Sequence, residues 1–513
     1  MKKIVLYTLL ILVSSSCTKN FDEINTNPNA SLISRADYLT TSMLVSITTG
    51  EISTAKTFMQ PFMLGKYILW TEQQDGNQYN SLGQASFSRL TVLRNVDPML
   101  QYASSNASTY PSYIGMAHFI RAWQFFQSTI EVGDIPYSQA ILGESENNIK
   151  PVYDTQKEVF MGILKELDQA DSAFAVGAKF DGDFVYSGDV DKWRRLVNGF
   201  QLHVLMNLYK KTDDADLSVI NRFKNIVNTR PLMRTYADNF AITYQNSAGY
   251  CYPWSSTSLQ KNQYTIYPMV SSTLIDSLKA HNDRRLFYYA EPAASIIKAG
   301  GDSSSFSSYI GIEPSDQFSS TTTAHSNGAF SDVNRRYVQL FNAEPVSLFS
   351  YWQQQFILAE AAARGWINGS AETYYESGIS GSMNFLANFA GATTTSTYVH
   401  KMPLTADYIS SYLKTVQLTG SMDNQIMQIL TQKYMAGFLQ GANNDAWFDF
   451  RRTGYPVFKL NPNTNQNTPS SQFPVRWRYP QAELDNNADN YKASIQSQYA
   501  GVDDANQIMW ILK

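Results

Sequence analysis

The sequence predicts a mostly α-helical, single-body fold in which paired helices carry long, irregular, aromatic-rich loops and β-structure is scarce. Apolar residues recur at three- and four-residue spacing through most of the chain, and this is the period of an amphipathic helix. No stretch rich in Pro and Ser divides the 513 residues into parts that would fold separately. These two observations predict one helical domain over residues 35–513.

The helices are predicted in order from local signals. Residues 36–66 carry apolar side chains at mixed helical spacing, and residues 111–131 place them close to one helical stripe. Thr155 stands three residues before Glu158, which is the spacing of a capping box at a helix start. Further helices are expected at 191–211, 270–281, 349–364, 371–390, 405–418 and 422–440.

Residues 349–390 resemble a helix pair of the tetratricopeptide kind. One helical segment ends near Trp366, an Asn-Gly-Ser turn follows at 368–370, and a second helical segment begins. Small residues such as Ala359 on the first segment, against large ones such as Tyr374 on the second, permit close helix packing. The exact consensus of that repeat is absent.

Two stretches, residues 67–95 and about 235–345, lack a regular helical pattern for most of their length. They are rich in Ser, Thr, Asn, Gln, Gly and Tyr. Irregular segments of this length inside a compact protein usually carry function. Both are therefore predicted to be ligand-binding insertions within the helical domain.

Residues 1–16 are predicted to be a secretory signal peptide. Two lysines, an apolar run of ten residues (IVLYTLLILV) and three serines follow the first methionine in that order. Ten residues span about 15 Å as a helix, whereas a hydrocarbon core is roughly 30 Å thick. A permanent membrane helix is therefore not expected here.

Cys17 follows the serines at once, and this position predicts a lipoprotein. After cleavage its thiol and its amine are available for acyl chains, and two or more chains anchor a protein stably. Ser14 stands where the usual lipobox has leucine. The alternative is an ordinary signal peptide with an incidental cysteine. The polar residues 17–34 are interpreted as a tether between the lipid anchor and the domain.

Composition limits the possible functions. The net charge of −4 offers no basic field for nucleic acid. Only Cys251 remains after Cys17, so the mature chain has no intramolecular disulfide. The catalytic patterns HExxH, GxSxG and GxxxxGK are absent, and the five histidines share no metal-ligand spacing. No cofactor is expected, and no twelve-residue loop pattern supports Ca²⁺ at acidic loop residues such as Asp75 or Asp302.

Two groups of residues have structural interpretations. Glu360 lies in an alanine-rich helix, where an unpaired buried carboxylate would be costly, so it is expected to pair with Arg451 or Arg452. The two arginines are themselves interpreted as a packing element and not as an anion site. The Gly-Asp-Ile-Pro sequence at 133–136 is predicted to be a turn with a structural role.

Six segments, spread over nearly the whole chain, together resemble the SusD/RagB family of outer-membrane nutrient-binding lipoproteins. The WFDFRRTGYP sequence in the fifth places the chain closest to the SusD-like subgroup. The segments are 17–29 (CTKNFDEINTNPN), 132–140 (VGDIPYSQA), 150–154 (KPVYD), 358–366 (LAEAAARGW), 429–434 (ILTQKY) with 446–456 (AWFDFRRTGYP), and 478–480 (RYP) followed by Glu483 and Asn486.

This resemblance implies a helical fold with tetratricopeptide-like pairs as its scaffold. It also implies a lipoprotein of the outer membrane that faces the cell exterior, captures glycans and passes them to a SusC-like TonB-dependent transporter without catalysis. Two alternatives stay open. A glycosidase needs only two carboxylates about 5–10 Å apart, which the sequence cannot exclude. A binder of peptides or other non-sugar nutrients is the other.

The irregular stretches supply residues suited to sugars. A sugar ring has an apolar C–H face, which an aromatic ring covers, and hydroxyls, which amides bind. The alternative is that these aromatic residues pack the loops onto the helices. The predicted stacking platform includes Trp70, Tyr79, Tyr250, Tyr252, Trp254 and Tyr264. The predicted polar partners are Asn77, Gln78, Asn246 and Asn262.

Overall fold

The structure is a computed structural model that describes residues 35–52, 55–143, 145–255, 266–391, 397–441 and 444–513. These residues form nineteen α-helices and four short β-strands, which confirms the predicted mostly helical fold. The predicted signal peptide, the tether and Cys17 lie outside the described residues. Among the helices of the described ranges, none has both the length and the apolar character that a membrane span requires.

Each predicted helix has a counterpart, except that residues 36–66 form two helices instead of one. The helices are α1 (Ala36–Glu51), α2 (Ala55–Leu64), α3 (Val96–Ala103), α4 (Tyr110–Val132), α5 (Gln156–Val176), α6 (Val190–Asn207), α7 (Val219–Thr229), α8 (Ser272–Ala280), α9 (Leu286–Tyr289), α10 (Ala294–Lys298), α11 (Phe318–Ser326), α12 (Arg336–Gln339), α13 (Tyr351–Ala363), α14 (Ala371–Ala390), α15 (Ala406–Leu413), α16 (Met422–Ala436), α17 (Asp445–Thr453), α18 (Gln481–Asn486) and α19 (Ala488–Tyr499). The strands are β1 (Ile68–Trp70), β2 (Phe240–Ile242), β3 (Pro268–Val270) and β4 (Val346–Phe349).

Two antiparallel sheets of two strands each join segments that are far apart in the chain. β1 pairs with β3, with Leu69 opposite Met269, and β2 pairs with β4, with Ile242 opposite Val346. All residues of β1 and β3 are buried. The β1–β3 sheet therefore holds one predicted irregular stretch directly against the other.

Consecutive helices pack as pairs and form the scaffold: α4 on α5, α5 on α6, and α13 on α14. The predicted capping box opens α5, where the side chains of Thr155 and Glu158 each accept from the other's backbone amide. Between α13 and α14, a Cβ atom added to Gly378 would lie 2.8 Å from the ring of Phe356. This close approach confirms the helix pair predicted for residues 349–390.

One connected cluster of buried apolar side chains runs from Ala36 to Ile511 and confirms the single-body prediction. Its largest members are aromatic, and Trp123, Trp193 and Trp352 lie at its centre with almost no exposed surface. Because the cluster includes side chains of the scaffold helices and of both irregular stretches, the loops are packed parts of the body.

The stretch from 235 to 345 is more regular than the sequence predicts. It contains strands β2 and β3 and the helices α8 to α12, of which the longest have nine residues. Helices this short complete at most two or three turns, so they leave little apolar periodicity in the sequence. Short helices therefore replace much of the expected irregular structure.

A buried chain of charges joins three scaffold helices. The guanidinium of Arg452 on α17 donates to both carboxylate oxygens of Glu360 on α13, at 2.7 and 2.6 Å. It also donates to Asp449, which accepts in turn from Lys433 on α16 at 2.6 Å. Burial opposes ionisation of Glu360, but Arg452 and then Arg364 bring its pKa below the ordinary value. The predicted pairing of Glu360 is thus confirmed, with Arg452 as the partner.

Arg451 and the turn at 133–136 both have the structural roles that the sequence predicts. Arg451 donates to the backbone carbonyls of Val475 and Ile130, and its guanidinium lies 4.5 Å from the ring centre of Phe448. In the turn, the carboxylate of Asp134 accepts from the backbone amide of Gln156 at 2.8 Å, next to the start of α5.

The charge chain makes a testable prediction about stability. Arg452→Met leaves Glu360 and Asp449 buried with fewer donors, and breaking a buried pair from one side typically costs about 3–5 kcal/mol. We expect a loss of that size in the free energy of unfolding, measured by urea titration. The control, Arg35→Met, breaks an exposed pair with Asp37 and should leave the unfolding midpoint unchanged. Equal effects of the two substitutions would contradict the assigned role of Arg452.

Candidate functional site

Lys66 organises the surface where the two irregular stretches meet. Its side chain is buried, and its ammonium donates to the carbonyl of Gln78 at 2.6 Å and to the side-chain oxygen of Asn80 at 2.7 Å. Its own carbonyl accepts from the hydroxyls of Ser271 and Tyr434, at 2.6 and 2.8 Å. One residue thus connects β1, the segment after β3, helix α16 and the loop 72–80.

The environment of Lys66 is unusual for a lysine. Burial lowers the pKa of its ammonium to about 7, although the nearby carboxylates of Glu313 and Asp75 oppose that shift. Near neutral pH both the ammonium and the free amine are therefore populated. Because this group is the main donor to the loop 72–80, the position of the loop depends on a titratable contact.

Two further segments are bonded to this loop and to each other. The amide of Gln466 donates to the carbonyl of Tyr79 at 2.8 Å, and the hydroxyl of Tyr79 donates to the carbonyl of Asp316 at 3.1 Å. The side chains of Asn461 and Thr464 both donate to the carbonyl of Ser315. Residues 72–80, 313–319 and 461–466 therefore form one continuous surface, although they are far apart in sequence.

These three segments enclose an open groove of about 570 Å³, which we call the amide groove. Four side-chain amides on its walls are exposed, and the ring of Phe318 beside them is half-buried. Within the described residues, the amides of Gln74, Gln317, Asn463 and Gln466 make no hydrogen bond. The residues that line the groove are Gln74, Tyr79, Gln317, Phe318, Ser319, Asn463, Thr464, Asn465 and Gln466.

The chemistry of the amide groove suits a neutral, hydroxylated ligand. A side-chain amide both donates and accepts, as a sugar hydroxyl does, and an aromatic ring covers an apolar C–H face. None of the nine lining residues is charged. The groove can therefore bind polar groups without requiring a charge on the ligand.

The structure places three of the six residues of the predicted stacking platform inside the core, which corrects the prediction for those three. The exposed fractions of Trp70, Tyr252 and Trp254 are 2 %, 0 % and 2 %. The ring of Phe58 on α2 makes edge contacts with Tyr252 and Trp254, at 6.0 and 6.2 Å between ring centres. Their large apolar surfaces are more stable in the core than in water, so these rings hold the loops onto the helices.

The other predicted residues are divided among several positions. Tyr79 contributes to the groove through a nearly buried ring, and the buried Gln78 bonds to the backbone of Trp70 and Pro314. Tyr250 is 62 % exposed and Asn246 is exposed, in a turn away from the nine groove residues, so their binding role stays a prediction. Asn77 is half-buried and lines a separate pocket. Asn262 and Tyr264 lie outside the described residues.

The groove includes residues that the sequence did not single out. Phe318 opens α11 in the run FSSTTT, where the scarcity of large apolar residues hides the helix. Asn463 and Gln466 lie in NPNTNQN, more than a hundred residues beyond the predicted insertions. The high density of side-chain amides in that segment could have indicated a binding role. That the segment lies beside the loop 72–80, however, follows only from the fold.

The groups considered as metal ligands have other partners. The carboxylate of Asp75 pairs with Lys56 at 3.0 Å and accepts from the amide of Asn77 at 2.8 Å. The carboxylate of Asp302 accepts from the amide and hydroxyl of Ser304. Across the described part of the chain, no three His, Cys, Asp or Glu side chains are grouped to hold a metal ion.

Comparisons with known proteins identify a family and solved structures that share this fold. The model of a family described as SusD-like, starch-binding and associating with the outer membrane matches residues 21–480. A SusD homologue of Bacteroides fragilis has 39 % identity and a TM-score of 0.89, and the match covers 94 % of this chain and 100 % of that one. A second SusD homologue of the same species has 33 % identity and a TM-score of 0.81, with the same coverage.

More distant structures share the fold. A chitin-binding SusD homologue of Flavobacterium johnsoniae has 19 % identity and a TM-score of 0.68, and the match covers 92 % of this chain and 98 % of that one. At that identity the similarity shows the fold alone. A search of curated proteins finds no match to the chain.

The titration of Lys66 leads to a prediction about pH. Its pKa of about 7 in the folded state lies below the ordinary value of 10.5, so the unfolded chain binds an extra proton between these two pH values. The contribution of Lys66 to the free energy of unfolding should therefore rise as pH increases from about 7 to 10, by at most about 1.4 kcal/mol per pH unit. Below pH 7 the full cost of the buried charge remains.

The measurement is the free energy of unfolding of the wild type and of Lys66→Met at several pH values in this range. Methionine has a similar length and no charge. The difference in the free energy of unfolding between the two proteins therefore reports the contribution of the lysine ammonium. We expect the wild type to gain stability relative to the variant as pH rises. If the free energies of unfolding of the two proteins changed in parallel with pH, the pKa of Lys66 would not be lowered as described.

Proposed function

Because the chain belongs to the SusD-like family, whose members are described as starch-binding and associating with the outer membrane, we propose that it captures a glycan for uptake. The glycan binds in the amide groove and passes to a SusC-like TonB-dependent transporter, without cleavage. The family description supports a carbohydrate as the ligand.

The observation that carries this proposal is the set of free amides beside Phe318. Four amides on three segments meet around one aromatic ring, and no charged side chain lines the groove. A peptide ligand would bring charged termini or side chains, for which this groove offers no counter-charge. A glycosidase would need a pair of carboxylates beside the scissile bond, and the lining residues include none. Both alternatives therefore receive less support than a neutral glycan.

The attachment to the membrane belongs to the same proposal. The basic start, the apolar run and the serines before Cys17 support export followed by acylation of that cysteine. Residues 17–34 then connect the lipid to α1, with the protein on the outer face of the outer membrane. A glycan held in the groove remains beside the transporter because the anchor restricts the protein to the membrane surface.

Substitution in the groove tests the ligand. Phe318→Ala removes the stacking ring, and we expect it to weaken glycan binding at least about tenfold, or ~1.4 kcal/mol. Calorimetry with malto-oligosaccharides and chito-oligosaccharides gives the affinity. The matched control, Tyr102→Ala, removes an exposed ring on α3 that is not among the groove residues and should not change it. If both oligosaccharide series fail to bind the wild type, or if Phe318→Ala binds as tightly, the proposal is wrong.

The anchor and the partner are tested in cells. Cys17→Ala removes the acylated thiol, so we expect palmitate labelling to disappear. Affinity purification of the wild type from outer membranes should recover a TonB-dependent transporter in a fixed ratio, and protease added to intact cells should degrade the protein. Persistent labelling of the variant would contradict lipidation at Cys17. Purification without any transporter would contradict the partner.

A further inference from the structure

A second pocket, of about 200 Å³, is also lined by a residue of the loop 72–80. We call it the polar pocket. Asn77 of the loop lines it, whereas Gln74 and Tyr79 of the same loop line the amide groove. Its other walls come from the ends of α1 and α2 and from α4, and the half-buried Trp477 lies at its edge.

A charged cluster forms one wall of the polar pocket. The guanidinium of Arg89 lies 2.7 Å from one oxygen of Glu51 and 3.5 Å from one oxygen of Glu131. The side chains of the two glutamates are only 8 % and 15 % exposed. Within the described residues, the second oxygen of each carboxylate accepts no hydrogen bond. Both therefore remain available to a donor in the pocket.

The cluster is nearly balanced in charge. Burial raises the pKa of Glu131, and Arg89 and Arg451 oppose this rise while Glu51 adds to it. Arg89 lies between the two glutamates, and the more distant Arg451 stays positively charged at neutral pH because its pKa is about 9. A ligand here meets strong hydrogen-bonding groups whose charges oppose one another.

Gln127 offers the polar pocket a side-chain amide. Its side chain is 3 % exposed and lines the pocket, and within the described residues its amide makes no hydrogen bond. Two other buried glutamines bond to the protein instead: Gln354 bonds to the backbone amide and carbonyl of Met233, and Gln440 bonds to Glu344. Because the amide of Gln127 reaches the pocket, a polar ligand there can bond to it in place of solvent.

We propose that the polar pocket is a second binding site, which takes a neutral, hydroxyl-rich group of the size of one sugar ring. The glutamate oxygens accept from hydroxyls, the amides of Gln127 and Asn77 donate and accept, and Trp477 offers an aromatic face at the edge. At about 200 Å³ the pocket is smaller than the range of about 300–1,000 Å³ typical of larger ligands, which favours a single ring.

The two cavities then divide recognition of a glycan. The larger amide groove accepts the middle of a chain, whereas the smaller polar pocket accepts a terminal residue. Asn77 and Tyr79 are two positions apart on one loop, so ligand in either cavity acts on the same segment. That the hydroxyl-rich group is a sugar rests on the proposed function. The hydrogen-bonding groups of the pocket are observed independently of that proposal.

The test compares one variant in each cavity with two sizes of probe. Gln127→Met keeps the length of the side chain and removes the amide, and Phe318→Ala removes the ring of the groove. The probes are the monosaccharides glucose, galactose, mannose and N-acetylglucosamine, and oligosaccharides of glucose and of N-acetylglucosamine. Saturation-transfer NMR identifies which monosaccharide binds, and calorimetry gives its affinity.

We expect Gln127→Met to weaken monosaccharide binding at least about tenfold, whereas Tyr102→Ala, which lines neither cavity, leaves it unchanged. Phe318→Ala should weaken binding of the oligosaccharides through the groove. Because Gln127 makes no side-chain hydrogen bond within the described residues, the melting temperature of Gln127→Met should stay the same or rise. Monosaccharide binding that survives Gln127→Met, or no monosaccharide binding while oligosaccharides still bind, would overturn this inference and leave the proposed function intact. A fall in melting temperature would make Gln127 a structural residue and would also overturn it. Failure of every carbohydrate to bind would overturn both.

Discussion

The buried ammonium of Lys66 is the contact on which the binding surface depends. It joins the loop 72–80 to the body through the carbonyl of Gln78 and the side chain of Asn80. Asn80 then donates to Asn465, in the opposite wall of the amide groove. The cation does not touch the groove, but both walls of the groove are positioned through it. An ionised group in the core is costly to bury, and the hydrogen bonds from the ammonium to Gln78 and Asn80 offset part of that cost.

The scaffold and the binding surface are stabilised in different ways. In the scaffold, apolar faces of paired helices meet, and a chain of charges from Glu360 to Lys433 connects helices that are distant in sequence. The binding surface has few apolar contacts of its own, and hydrogen bonds to backbone carbonyls hold its segments together. The buried rings of Tyr252 and Trp254 link the two parts by packing a loop against α2.

Much of the scaffold could be predicted from the sequence, because its signals are local. Helical periodicity, the capping box at Thr155 and the pairing of Glu360 with an arginine all depend on residue type and spacing. The groove could not be predicted in this way, because its walls come from three separate segments. In the sequence, aromatic residues near amides have the same pattern whether they are exposed at the surface or buried in the core. Burial separates Trp254 from Tyr250, and burial depends on the whole fold.

The way in which the groove segments are joined has a consequence for how specificity changes. The amide of Gln466 reaches the carbonyl of Tyr79 through backbone atoms alone, and the carbonyl of Ser315 accepts the donors from 461 and 464. The side chains of Gln466, Gln317 and Asn463 are therefore free to be replaced without loosening the wall. Such a surface can acquire new ligands by successive substitution while the chain keeps its fold, which makes it a practical starting point for engineered carbohydrate binders.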